Sequence, residues 1–113
     1  MKLGVLKEPQ GETRVAIVPT SLKKLLKAGF EVVVEAGAGT AANYHDSDYE
    51  AAGATVGTRD EALACDNIIT IRFPGVQGIN EGTNLACVSD PFRNPQYVKD
   101  CLAANITLPV SYT

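Results

Sequence analysis

The apolar positions along this chain change period several times. Short dense runs occupy residues 2–6 ("KLGVL"), 31–35 ("EVVVE"), 67–71 ("NIITI"), 85–88 ("LACV") and 106–110 ("ITLPV"). Runs of this length, apolar on consecutive positions and rich in β-branched residues, are the pattern of strands covered on both faces. Pro109 lacks a backbone N–H and places the last run near a sheet edge. Between the runs the spacing turns helical. Leu22, Leu25 and Leu26 fall on one helix face, with Thr20 or Ser21 as the cap before them and Gly29 as the stop. Residues 46–52 form a short helix closed by Gly53, and "ATVG" at 54–57 reads as one short extended piece. Thr58 followed by Glu61 is a capping box for a further helix. Asn94 before Pro95 opens the last one, which runs to about residue 104. The segments "AGAGTAAN" and residues 78–84 are loops.

Strands alternate with helices throughout, so the expected fold is α/β: a flavodoxin-like, three-layer domain. Its parallel five-stranded sheet, ordered 2-1-3-4-5, carries helices on both faces. With 113 residues the chain holds one domain. No helix follows the run at 106–110 to cover the last part of the sheet. That points to a piece of a longer polypeptide, or a subunit completed by a partner.

Charge and composition narrow the function. A net charge of −3 without a basic cluster argues against a nucleic-acid partner. No apolar run reaches the roughly 20 residues of a membrane span, and "MKLGVLKEP" is no signal peptide. Cys65, Cys87 and Cys101 are an odd set with no CxxC, each among apolar neighbours. They read as buried free thiols of a reducing, cytosolic compartment, and no metal site is expected.

In a sheet of this order, ligands bind beyond the carboxyl ends of strands 1 and 3, where the winding direction reverses. Arg14 follows strand 1 in "GETRVAIVP", and Arg72 follows strand 3 in "TIRFPG". Two guanidinium groups there can clamp a carboxylate or phosphate. The residues alone leave open whether they do so or are surface loop residues. Lys7 and Glu8 can line the same crevice, although solvated charges are the simpler reading. Asp90, with Arg93, follows strand 4 and lies on the same side. "AGAGTA" runs on to Ala42 and passes as GxGxxA, but the polar "NYHDSDY" after it continues no helix, and no acidic residue closes a next strand about 20 residues on. A glycine-rich turn is the better reading. His45, the single histidine, reads as a surface residue beside a helix start, and no catalytic residue is assigned.

The stretch "MKLGVLKEPQGETRVAIVPTSLKKLLKAGFEVVVEAGAG", with "SDYEAAGA" and "NIITIRFPG", resembles the N-terminal domain shared by alanine dehydrogenases and the alpha subunit of proton-pumping nicotinamide nucleotide transhydrogenase. In alanine dehydrogenases the arginine of the "RVA" stretch and a lysine after strand 3 hold the substrate, and a histidine after strand 4 assists. Here Arg14 matches the first, Arg72 stands at the lysine position and Asp90 at the histidine position. Without imidazole there is no evident proton shuttle, and arginine never gives up its proton. The resemblance therefore leans toward transhydrogenase, although Asp90 fits neither pattern.

The resemblance implies that residues 1–113 are the non-Rossmann N-terminal domain of a larger enzyme passing hydride between NAD(H) and NADP(H). NAD would be bound mainly by a Rossmann domain absent from this chain, and NADP by a partner subunit or domain. It also implies the rest of the alpha subunit and the NADP-binding and membrane subunits as partners, a homodimer, a cytoplasmic position peripheral to the inner membrane, and little activity of the 113-residue chain alone. An alanine dehydrogenase-type oxidoreductase fragment and a non-catalytic anion-binding module are the alternatives.

Overall fold

A computed structural model describes residues 2–72, 74–75 and 77–87, together with Lys99 and Ala103, which are helical. The strands are β1 (Lys2–Val5), β2 (Glu31–Glu35), β3 (Thr55–Gly57), β4 (Asn67–Thr70) and β5 (Asn84–Cys87). The helices are α1 (Leu22–Lys27), α2 (Asp46–Ala51) and α3 (Arg59–Leu63). All strands pair in parallel, in the order β3-β2-β1-β4-β5. Among the described residues the sheet is thus parallel and five-stranded, of the α/β kind that the alternation of runs indicates. It includes a strand that is not among the five expected runs. The piece read as merely extended is a true edge strand, with Val33 to Glu35 of β2 opposite Thr55 to Gly57. The run at 106–110 and most of the helix at 94–104 lie outside the described residues.

Side-chain alternation divides the core between two faces. Leu3, Val5, Val32 and Val34 point to one face and pack with Leu22 of α1 and Tyr49 of α2. Ile68 and Leu85 point to the other and pack with Ala62 and Leu63 of α3. Gly4 belongs to this second face, level with Val33 and Ile68. A Cβ at Gly4 would run into the carbonyl oxygen of Ala62. That glycine is therefore what lets α3 lie directly on β1.

Local signals set the helix ends. Thr58 Oγ accepts from the Glu61 N–H at 3.2 Å, and the Glu61 carboxylate accepts from the Thr58 N–H at 3.3 Å, so α3 has the capping box its sequence spells. The first helix begins differently from the expectation. Pro19 starts a short 3-10 turn over Pro19–Ser21, Ser21 sits in helical geometry, and its side chain makes no cap bond. The proline's fixed φ already favours a helical entry, so the hydroxyl has no capping work to do. Gly29 ends that helix region at φ +93°.

The connections from β1 to β2 and β3 run one way across the sheet. α3 then carries the chain back past β2 and β1 to β4, and β5 continues outward. The reversal falls between β1 and β4. In a sheet of this kind, a crevice opens at the carboxyl ends of that pair.

Candidate functional site

Three glutamates line the carboxyl ends of the central strands, and all are buried. Glu8 is 9%, Glu12 8% and Glu35 8% exposed. A buried carboxylate needs donors, and each of these has them. Glu8 leaves the end of β1 and accepts from the backbone N–H groups of Ile71 (2.9 Å) and Arg72 (2.8 Å), just past β4. It bridges the reversal point. Glu35, the last residue of β2, accepts from the Lys7 N–H at 2.7 Å and from Arg59 Nη1 at 3.1 and 3.2 Å.

Glu12 gathers the two arginines. A turn brings its N–H to the Pro9 carbonyl at 3.1 Å, with Gly11 at φ +98°. Its carboxylate accepts from the Arg14 N–H (3.0 Å), Arg14 Nε (2.9 Å) and Arg14 Nη2 (3.1 Å). It also accepts from Arg72 Nε at 2.8 Å. Both guanidinium groups reach the same oxygen, Oε2. The two-point pairing with Arg14, and then the Arg14 backbone N–H, hold the Glu12 carboxyl down at about 2, with burial opposing. Arg14 is raised by the same partner. Glu12 is therefore ionised at any neutral pH.

Arg14 and Arg72 thus lie together, 58 positions apart in sequence, although they meet through a carboxylate rather than across an open gap. Their side chains are 62% and 58% exposed. Among the described residues, Arg14 Nη1 and the terminal nitrogens of Arg72 have no acceptor. Those edges face outward with donors to spare.

Beside them lies a cleft of about 300 Å³, whose walls include Lys7, Glu8, Glu35, Arg59 and Arg72. A second hollow of about 250 Å³ shares Lys7 and Glu8 and reaches Glu12 and the turn at Gly37. Lys7 is exposed and lines both. Arg14 lines neither and joins the site through Glu12. Asp90 and Arg93 lie outside the described residues. The expectation that Glu8 is a solvated charge is corrected, because two backbone amides draw it inward. Glu12 and Glu35 went unmarked in the sequence. Only the closeness of Glu12 to Arg14 hinted at a pair.

The turn at residues 36–42 does not fit a dinucleotide. Gly37 donates its N–H to the Asp46 carboxylate at 2.9 Å, so an anion already occupies it. Gly39 is crowded by Tyr44 and Tyr49. Thr40–Ala42 is a single 3-10 turn ended by Asn43 at φ +67°, not the start of a helix. Nothing there cradles a pyrophosphate as a helix N-terminus does. His45 precedes α2 as its cap residue, exposed, with its N–H held by Asp48 at 2.9 Å. Cys65 is buried and Cys87 half-buried, and burial pushes both thiols up. Cys101 lies outside the described residues. Among the described residues no cluster of metal-ligating side chains forms, and no helix is long and apolar enough to cross a membrane.

Residues 4–110 match the family described as alanine dehydrogenase/PNT, N-terminal domain. The chain is 34% identical over 112 residues to the NAD(P) transhydrogenase subunit alpha of Haemophilus influenzae, covering 96% of this chain and 22% of that one. A solved transhydrogenase from Sinorhizobium meliloti superimposes with a TM-score of 0.89 at 38% identity, over 96% of this chain and 34% of that one. A solved L-alanine dehydrogenase gives 0.84 at 26% identity, over 96% and 31%. The chain spans less than a third of the length of the curated relatives it matches.

Proposed function

The chain belongs to the alanine dehydrogenase/PNT N-terminal domain family, and on that premise we propose that it is the N-terminal domain of an NAD(P) transhydrogenase alpha subunit. In this reading it forms one wall of the cleft in which hydride passes between NAD(H) and NADP(H). NAD is held mainly by a Rossmann domain outside these residues, in keeping with the misfit of the turn at Gly37. NADP is held on a partner subunit or domain. The whole assembles with the rest of the alpha subunit as a homodimer, against a membrane subunit that moves protons, and this domain stays on the cytoplasmic side. The 113-residue stretch turns over nothing by itself.

The observation that carries the reading is Arg72. It sits at the carboxyl end of β4 with its Nε fixed on Glu12, where an amino-acid dehydrogenase of this family would place a lysine. A guanidinium donates hydrogen bonds to a carbonyl but does not give up its proton at neutral pH. The site therefore suits holding and orienting an anionic group rather than the acid–base steps that turn pyruvate and ammonia into alanine.

The test uses the complete polypeptide that carries this domain, together with its partner subunits. Hydride transfer from NADPH to an NAD analogue is expected in the native assembly. Arg72→Ala should lower it by roughly 10- to 100-fold, the cost of one charge-assisted contact of about 1.5–3 kcal/mol. Turnover of alanine with NAD, and no transhydrogenation, would overturn the reading.

A further inference from the structure

We propose that Tyr49 is a positioning residue for the loop that carries Glu12 and Arg14, and that Gly39, in the turn at residues 36–42, serves to admit its ring. This goes beyond the proposed function, because it concerns how the loop is held and not what the cleft binds.

The loop has few anchors of its own. Residues 13–17 belong to neither helix nor strand. Among the described residues, the backbone there is held by the Arg14 N–H on the Glu12 carboxylate, at 3.0 Å, and by the Ile17 carbonyl. The second anchor comes from far along the chain. The Tyr49 hydroxyl, on α2, donates to the Ile17 carbonyl at 2.8 Å. Tyr49 is fully buried, and Val15 belongs to the same core cluster. A phenol buried to this depth needs a partner. Burial pushes its pKa up to about 12, so it remains a donor throughout the neutral range. One short stretch joins Ile17 to Arg14, with Val15 buried in its middle. Releasing the carbonyl therefore leaves the Arg14–Glu12 contacts to hold the loop.

Gly39 is the other half of the arrangement. Its φ is −93°, outside the left-handed region that favours glycine. Space, not backbone shape, accounts for it. A Cβ at Gly39 would stand 2.7 Å from Tyr49 Cε2, 2.8 Å from the Tyr49 hydroxyl oxygen and 2.9 Å from the Tyr44 Cβ. Non-bonded atoms do not approach so closely without repulsion. The ring is enclosed, so an added methyl group would move the hydroxyl off the Ile17 carbonyl. The glycine pattern that imitates a dinucleotide motif thus has a packing reason in Tyr49.

Exchange of arginine N–H protons in the full-length protein tests this, followed by NMR with 15N-arginine labelling in mildly acidic buffer. Arg14 reports on the loop through its backbone N–H and its Nε–H, both on Glu12. The Arg72 backbone N–H, on Glu8, is the reference. Tyr49→Phe keeps the ring and removes the hydroxyl. Both Arg14 protons should then exchange roughly 2- to 10-fold faster relative to Arg72, the opening that loss of one neutral hydrogen bond allows. Gly39→Ala keeps the hydroxyl but displaces it, and should act in the same direction. The two substitutions together should do no more than the larger one alone, because they break the same bond.

If Tyr49→Phe leaves Arg14 at its native rate, the hydroxyl does not position the loop. If it speeds Arg14 and Arg72 alike, Tyr49 serves only overall stability, and the proposal fails again. If Tyr49→Phe acts as expected while Gly39→Ala leaves Arg14 unchanged, the role given to the glycine is overturned.

Discussion

At the scale of single residues, the chemistry of this domain is carried by glutamates that a sequence shows only as charges in loops. Glu12 is the clearest case. Its folded pKa, about 2, lies below the ordinary 4.5. A depressed carboxyl stabilises the fold in full above about pH 4.5, and that stabilisation is lost as the pH falls through about 2. Unfolding by urea between pH 2 and 6 should therefore show a stability that falls toward acid. Glu12→Gln should be less stable than the native protein at pH 6 and should lose much of the acid slope. An unchanged slope would mean that Glu12 is not held as the geometry implies. The arginines were legible because the strand order alone assigns them to one end of two neighbouring strands. The carboxylates were not, because burial of a loop glutamate depends on which backbone amides the fold leaves without partners. For Glu8 those amides belong to Ile71 and Arg72, more than 60 positions away.

At the scale of elements, the dense runs at 2–6, 31–35, 67–71 and 85–88 mark four of the five described strands to within two residues. Continuous burial writes itself into composition. The edge strand β3 is half-exposed and only three residues long, so it carries too few apolar positions to stand out. Its identity comes from pairing with β2 instead. The close contact of α3 with β1 was also invisible, because a glycine in a strand signals only that something approaches. Gly4→Ala would drive a methyl group into the Ala62 carbonyl, where neither backbone can yield cheaply. It should destabilise the protein by about 1–3 kcal/mol or more, read as a lower urea midpoint with an unchanged slope. Gly11→Ala is the fitting contrast. Its added Cβ meets no neighbouring atom, so only the strain of φ +98° acts.

At the scale of the whole molecule, the sheet is two wings joined along β1 and β4. β1, β2 and β3 wind one way, β4 and β5 the other. The described ladder between the wings ends at Val5 and Ile69, and the chain between β1 and β4 is long. Glu8 ties the two backbones, beside the Glu12–Arg72 side-chain pair. It is rooted just beyond β1 and takes the N–H groups of Ile71 and Arg72 just beyond β4, at 2.9 and 2.8 Å. Glu8→Ala would leave those two donors, the first of them buried, without an acceptor. The cost should be about 2–4 kcal/mol, since bonds to a charged acceptor are worth more than neutral ones and an orphaned buried donor adds its own desolvation. The loss should be local before it is global. Amide exchange at Ile71 and Arg72 should speed up by tenfold or more, while Val33 and Val34 in β2 keep their protection relative to the new global stability. Because Arg72 is positioned by the same tie, anion affinity at the proposed Arg14–Arg72 site should fall with it. Glu8→Gln retains one carbonyl acceptor and should fall between the native protein and Glu8→Ala on both measures. Equal protection at Ile71 in all three proteins would mean that the wings are held by something other than this carboxylate.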